Sequence, residues 1–186
     1  MTENPLAQFD RAAAVAEEVI AAVKPDQFDH PTPCTTWTVR QVINHIVTGN
    51  LFFASIVSGG PRPDRSRDHL GDDPVGAFRE AVRHLRAAFA GEGVLARTYD
   101  TPIGPGPGPL LVRMRVNEMF VHAWDVAKAT GQSTDLDPQL AEHCLAGFRA
   151  VPFIPRGEGT AFGVEQEPPA GATAADRLAA FVGRGA

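Results

Sequence analysis

The sequence predicts an all-α protein, a bundle of helices joined by one or two long crossover connections. Apolar residues recur about every 3.6 positions in four or five segments, which is the period of an amphipathic helix. Helix-capping residues precede several of these segments, and stretches rich in glycine and proline separate them. Alternating apolar and polar patterns, which are typical of strands, are scarce.

Periodicity and capping residues define the first two predicted helices. Residues 5–23 carry one apolar face, and Pro25 ends the run because the residue before a proline disfavours helical geometry. Thr38 is followed three residues later by Gln41, the pattern of a capping box, so a second helix is expected to start there. It should stop at Gly59.

The third and fourth predicted helices lie on either side of an irregular segment. Asp73 followed by a proline is an N-terminal cap, and the helix after it should run to about Gly91. RTYDTPIGPGPGPLL is the most irregular stretch: its alternating Gly-Pro cannot be helical, and short extended pieces or a hairpin are expected in it. A fourth helix should begin near Pro109 and end at Gly131, where glycine suits the first position beyond a helix.

The C-terminal part of the chain predicts two further helices. One starts at Asp137 and ends before Pro152, and TAADRLAAFVGR is a short amphipathic helix. The stretch AFGVEQ between them is expected to form a short strand. We expect residues 1–186 to form a single domain, because this length provides a core of sufficient size.

The composition argues against several function classes. A net charge of −5 and a pI near 5.6 are unfavourable for nucleic acid or an anionic membrane as partner. The first ten residues contain no apolar signal segment, and no apolar run is long enough to cross a bilayer, so a cytoplasmic location is expected. Cys34 and Cys144 lie far apart, which favours two reduced thiols over one disulfide.

The fourth predicted helix holds three ionisable residues in apolar surroundings. Glu118 and His122 lie about 40° apart around the helix axis, and Asp125 lies about 20° to the other side of Glu118. The rest of the helix is apolar on nearly every face, so these side chains are expected to be buried. An unpaired buried carboxylate costs several kcal/mol, and Glu118 is therefore expected to have a partner.

His45, near the middle of the second helix, is the best candidate for that partner. Together His45, Glu118 and His122 supply two imidazoles and one carboxylate, a set that binds Zn²⁺ or Ni²⁺. Three protein ligands leave a coordination position for water or substrate, as in catalytic sites. Asp125 is expected to orient one of the histidines from behind.

The same residues also allow ordinary structural roles. Glu-x-x-x-His occurs often by chance, and an interior histidine such as His45 is commonly a hydrogen-bonded core residue. Glu118 could also pair with Arg115, which precedes it by one helical turn.

Three segments, taken together, resemble a known family. TPCTTWTVRQVINHIV, RVNEMFVHAWDVAKATG and DRLAAFVGR resemble the actinobacterial metal-binding branch of the DinB-like superfamily, similar to the N-terminal domain of mycothiol-dependent maleylpyruvate isomerase. The resemblance implies a DinB-like four-helix bundle with long crossover connections, here with an extra helix and a short C-terminal helix. The metal ligands of that branch are a histidine on the second helix and Glu-x-x-x-His on a later one, which correspond to His45, Glu118 and His122.

The resemblance also implies a function. In the superfamily the metal binds and activates the thiolate of a low-molecular-weight thiol, so this protein is expected to be a thiol-dependent transferase or isomerase that uses mycothiol or a similar thiol with an electrophile. The isomerase has a further C-terminal domain, whereas about 50 residues follow the start of the fifth helix here, and maleylpyruvate isomerase activity itself is not expected. The alternative is a non-catalytic metal-binding or stress-associated module, and a homodimer is expected in that case.

Two further residues are candidates near the site. Arg115 could bind a carboxylate on the thiol or the substrate. Cys34 could be a reactive thiol at the pocket mouth, although a small residue that packs against Trp37 is the more ordinary interpretation.

Overall fold

A computed structural model describes residues 4–34, 36–101, 103–151, 155–157, 160 and 162–185, and this part of the chain is mostly helical. The helices are α1 (Pro5–Ala21), α2 (Val39–Ser58), α3 (Pro74–Phe89), α4 (Gly108–Ala129), α5 (Pro138–Arg149) and α6 (Ala174–Phe181). Single 3₁₀ turns cover Pro25–Gln27 and Val94–Ala96, and two short strands are β1 (Thr98–Thr101) and β2 (Gly104–Pro107).

The predicted helices are all present, and local hydrogen bonds explain where they begin. At the start of α2 the Gln41 amide donates to the Thr38 hydroxyl, and the Thr38 amide donates to the Gln41 side chain over 2.9 Å, which confirms the capping box. Gly59, with a φ of 70°, ends this helix in the left-handed conformation that glycine adopts without strain. Asp73 and Asp137 cap α3 and α5 as expected.

The Gly-Pro segment forms a hairpin, as the sequence predicted. Strands β1 and β2 pair antiparallel, with Thr98 opposite Pro107 and Thr101 opposite Gly104. The strand expected at AFGVEQ is reduced to a single parallel β-bridge between Phe162 and Arg156, and Ala161 lies outside the described residues. The expectation was wrong for residues 163–166. There the amides of Gly163 and Gln166 donate to carbonyl groups at the end of α6, so no partner strand is needed to satisfy them.

Helix α4 lies at the centre of the packing. It contacts α1, α2 and α6, while α2 also packs against α3, and α5 packs against α6. Fourteen of its residues are buried, in agreement with a helix that is apolar nearly all round. The contact between α2 and α4 brings the middle of one helix against the middle of the other, and this positions the candidate site.

None of the helices in the described ranges combines the length and the apolar character that a bilayer crossing requires.

Candidate metal centre

The three residues predicted as metal ligands meet between α2 and α4. His45 Nε2 lies 2.9 Å from Glu118 Oε2, and His122 Nε2 lies 3.7 Å from the same oxygen. The ligand atoms of the three residues all lie within 4.8 Å of one another. His45 and Glu118 are 73 residues apart in the sequence, and the packing of α2 against α4 brings them into contact.

This geometry suits a small divalent cation. Zn²⁺ binds imidazole nitrogen and carboxylate oxygen at about 2.1 Å, so two ligand atoms of a tetrahedral site lie about 3.4 Å apart. The two distances from Glu118 Oε2 fall on either side of that value. The donor set of two imidazoles and one carboxylate therefore fits Zn²⁺ or Ni²⁺ in chemistry and in spacing.

The electrostatic surroundings favour the ionised form of Glu118 and the neutral form of His45. Burial alone disfavours the charge on Glu118, but the hydrogen bond from His45 and the electrostatic interactions with His122 and Arg115 outweigh it, and the pKa of Glu118 lies well below its usual range. Burial lowers the pKa of His45 despite its hydrogen bond to Glu118, which favours the neutral imidazole. Ligation requires an ionised carboxylate and neutral imidazoles.

Asp125 holds His122 from behind, in the arrangement predicted for it. His122 Nδ1 donates to Asp125 Oδ2 over 2.9 Å, so Nε2 is the nitrogen that faces Glu118. Asp125 is completely buried, and Arg184 binds both of its oxygens at 3.1 and 3.0 Å. Burial works against the charge of Asp125, but the hydrogen bond from His122 and the pairing with Arg184 keep its pKa below the usual range.

Arg115 is buried behind Glu118 rather than exposed on the wall of a cavity. Its side chain is 2% exposed, and its Nη1 lies 3.9 Å from Glu118 Oε2. The guanidinium donates to the Asn50 side chain and to the Ile46 carbonyl. Gly49 makes this possible, because a Cβ atom there would lie 2.6 Å from the guanidinium.

A cavity of about 260 Å³ opens beside the three residues. Its polar wall includes all three of them together with Arg184, and its apolar wall includes Trp37, Val121, Phe148 and Phe162. The Trp37 ring lies 4.5 Å from that of His45 and 5.8 Å from that of His122, centroid to centroid. A small molecule in this cavity would therefore contact the imidazoles directly.

Cys34 also lines the cavity, and it forms a second group of possible ligands with His122 and Asp125. Burial and the charge of Asp125 raise the pKa of the Cys34 thiol, so it remains protonated. Both oxygens of Asp125 are already bound by Arg184. The set of His45, Glu118 and His122 is therefore the better place for a cation.

Residues 9–127 match the model of the mycothiol maleylpyruvate isomerase N-terminal domain. The chain belongs to this family. The resemblance found in the sequence is thereby confirmed, and the matched residues include α2 and most of α4 with the three candidate ligands.

Two similar proteins align with this chain over nearly its whole length. Two uncharacterized proteins of Mycobacterium tuberculosis, from strains CDC 1551 / Oshkosh and ATCC 25618 / H37Rv, are each 38% identical over 183 residues. The match covers 97% of this chain and 98% of each relative.

Solved structures with the same fold belong to a mycothiol-dependent maleylpyruvate isomerase. The isomerase and a histidine-to-alanine mutant of it superpose with TM-scores of 0.63 and 0.64 at 16% identity. The match covers 76% of this chain and 66% of the isomerase chain, so this chain spans about two thirds of the isomerase's length. At this identity the likeness shows the fold.

Sequence reasoning missed Arg184 and the aromatic wall of the site. Arg184 lies in the family-like segment DRLAAFVGR, and its position just after the short helix α6 was the available signal. Trp37 precedes the capping box of α2 by one residue, which places it near His45. Phe148 and Phe162 come from α5 and the segment after it, and their spacing along the chain contains no signal of this meeting.

Proposed function

We propose that this protein binds a divalent metal ion through His45, Glu118 and His122 and uses it in the chemistry of a low-molecular-weight thiol. The reaction class is a transferase or isomerase reaction in which a thiol such as mycothiol meets an electrophile. Zn²⁺ and Ni²⁺ are the favoured metals, because both accept imidazole and carboxylate ligands.

One observation carries the proposal. The ligand atoms of His45, Glu118 and His122 lie within 4.8 Å of one another on the wall of a 260 Å³ cavity. A metal held by three protein ligands at such a wall keeps a coordination position open to a small molecule. Membership of the mycothiol maleylpyruvate isomerase N-terminal domain family supports a thiol as the small molecule that takes this position.

The residues around the metal would have different roles. Glu118, ionised by its positive neighbours, offers the negative charge that holds a cation in this setting. Asp125 fixes the ring of His122 so that Nε2 points towards the ligand set. When bound, the metal would lower the pKa of a thiol and keep it nucleophilic at neutral pH.

The cavity supports an enzyme over the non-catalytic alternative. A storage or structural metal site is usually closed by protein ligands, whereas these three residues border open space lined by aromatic side chains. Arg184 is the guanidinium that lines this cavity, and Arg115 supports Glu118 from the interior. A substrate-binding role for Arg115 stays a prediction.

The fold details that accompany this function are proposals as well. We take α1 to α4 as the DinB-like four-helix bundle, with α5 as the extra helix and α6 as the short C-terminal helix, in a single domain of residues 1–186. The expected homodimer and the cytoplasmic location also stay predictions.

Metal content tests the proposal. We expect about one equivalent of Zn²⁺ or Ni²⁺ per chain in the wild type, measured by elemental analysis after removal of adventitious metal. His45→Ala and His122→Ala should each abolish stoichiometric binding, because two remaining ligands hold the cation far more weakly. His84→Ala is the matched control, since His84 is an exposed histidine on α3 outside the site, and it should retain the metal.

Unchanged metal content in His45→Ala and His122→Ala would mean that the site is misassigned. Metal binding without any uptake or consumption of a thiol, across a panel of electrophiles, would favour the non-catalytic module instead.

A further inference from the structure

A second cavity lies next to the metal centre, on the face of α2 that looks towards the connection between α2 and α3. Its volume is about 410 Å³, and we call it the arginine cavity because Arg40, Arg65 and Arg67 line it. Trp37 and His45 line this cavity and the metal-centre cavity alike. The two cavities therefore share a wall.

The arginine cavity has more positive than negative charge in its lining. Asp68 is the carboxylate in its lining, and it is bound to Arg40 over 2.7 Å. The guanidinium groups of Arg65 and Arg67 make no hydrogen bond or ion pair with the residues that the structure describes. The neighbouring carboxylate of Asp64 accepts hydrogen bonds from Ser66, which lower its pKa, and the charge of Arg67 adds to this effect without a direct bond.

The segment that carries these arginines is fixed to α2. The Asn44 side chain donates to the Arg67 carbonyl over 3.0 Å and accepts from the His69 amide over 2.8 Å. Arg40 donates to the Gly71 carbonyl over 2.8 Å, and Leu70 is buried in the core. The backbone between Arg67 and Gly71 is thus held against α2, and the exposed side chains of Arg65 and Arg67 line one concave surface, in a protein whose net charge is −5.

We propose that the arginine cavity binds an oxyanion group, a carboxylate or a phosphate, of a small molecule, with Arg65 and Arg67 as the donors. The planar guanidinium fork matches both kinds of oxyanion with paired hydrogen bonds. The volume lies in the range of small-molecule sites. This site goes beyond the proposed metal chemistry and does not depend on it.

Calorimetric titration with succinate and with inorganic phosphate tests the proposal. We expect saturable binding of at least one probe, with a dissociation constant in the millimolar range or below, and the tighter probe identifies the oxyanion class. Arg65→Gln and Arg67→Gln should each weaken binding by about fivefold or more, because each removes charge-assisted hydrogen bonds. Arg62→Gln is the matched control: it makes the same charge change in the same connection, and Arg62 lies over the Phe52 ring as Arg65 does, but Arg62 does not line the cavity. It should alter binding less than about twofold.

The same titration on protein stripped of metal by a chelator separates this site from the metal centre. Binding should persist unchanged, and loss of binding on metal removal would show that the probe had bound the metal, which overturns the proposal. Two further results would overturn it: no binding of either probe at concentrations on the order of 10 mM, and an equal loss in Arg62→Gln, which indicates general surface electrostatics.

Discussion

Asp125 connects the C-terminal end of the described chain to the candidate metal centre. It accepts from His122 on α4 and from Arg184, which follows α6. Because Asp125 is completely buried, its charge depends on these two partners. Arg184 therefore acts on the site through Asp125 and His122, as a positioning residue.

Substitution of Arg184 should weaken metal binding. Arg184→Gln leaves the buried carboxylate with one partner, while Arg184→Lys keeps a positive charge but loses the paired hydrogen bonds. We expect Zn²⁺ affinity to fall about tenfold or more in Arg184→Gln and by less in Arg184→Lys, measured by competition with a chromophoric chelator.

Arg177→Gln is the control for this comparison, because Arg177 belongs to α6 but pairs with Glu142 and not with the metal centre. Its affinity should stay within about twofold of the wild type. Equal Zn²⁺ affinity in all three variants, with each of them folded by circular dichroism, would contradict a positioning role for Arg184.

At the scale of elements, α4 shows what sequence could predict and what it could not. Glu118 and His122 were identifiable because their spacing on a helix and their apolar neighbours are local properties of the chain. The prediction of His45 also required the assumption that two helices with buried faces contact each other. For Arg184 the family-like segment DRLAAFVGR was the one signal, since nothing local indicates that a residue beyond α6 returns to a carboxylate 59 positions earlier.

The hairpin and the failed strand illustrate the same limit. In the Gly-Pro segment the turn residues lie next to the strands they join, so local chemistry predicts the pairing. Between α5 and α6 the amide partners of residues 163 and 166 belong to α6, and only the tertiary fold supplies them.

The start of α5 provides a stability test at this scale. Asp137 accepts the Leu140 amide as an N-terminal cap and also pairs with Arg11 on α1, with Arg11 Nε 3.0 Å from Oδ2. Burial raises the pKa of Asp137, but the bonds from Arg11 and the Leu140 amide outweigh it and lower the pKa below its ordinary value. Asp137→Ala loses the cap and the ion pair, and it should reduce the free energy of unfolding by about 1–2 kcal/mol in urea titrations at neutral pH.

Asp137→Asn is the matched variant, because it keeps a cap oxygen and loses the charge. It should be destabilised less than Asp137→Ala, and its difference from the wild type should depend on pH. The folded pKa of Asp137 lies below the unfolded value of about 3.9, so the charge stabilises the fold above that pH and the benefit disappears as the pH falls through the folded pKa. A constant difference between Asp137→Asn and the wild type across this range would contradict the ion-pair contribution.

At the scale of the whole molecule, two cavities of different chemistry lie on either side of Trp37 and His45. One has aromatic walls and the candidate metal ligands, and the other has three arginines and one carboxylate in its lining. The composition indicated an acidic globular protein without a nucleic-acid partner. The net charge of −5 does not reveal that one cavity is lined mainly by positive side chains. Arg65 and Arg67 are two positions apart in the sequence, and the folding of the connection onto α2 places them on one cavity with Arg40.

We propose that a metal at His45, Glu118 and His122 would hold the sulfur of an added thiol. Replacement of the native metal with Co²⁺ makes this visible, because a thiolate bound to cobalt produces a charge-transfer band in the near ultraviolet. Mycothiol added to the cobalt protein is expected to produce this band in the wild type and in Cys34→Ser, and to produce none in His122→Ala. A cobalt protein with about one equivalent of metal that shows no such band at saturating thiol would contradict the account.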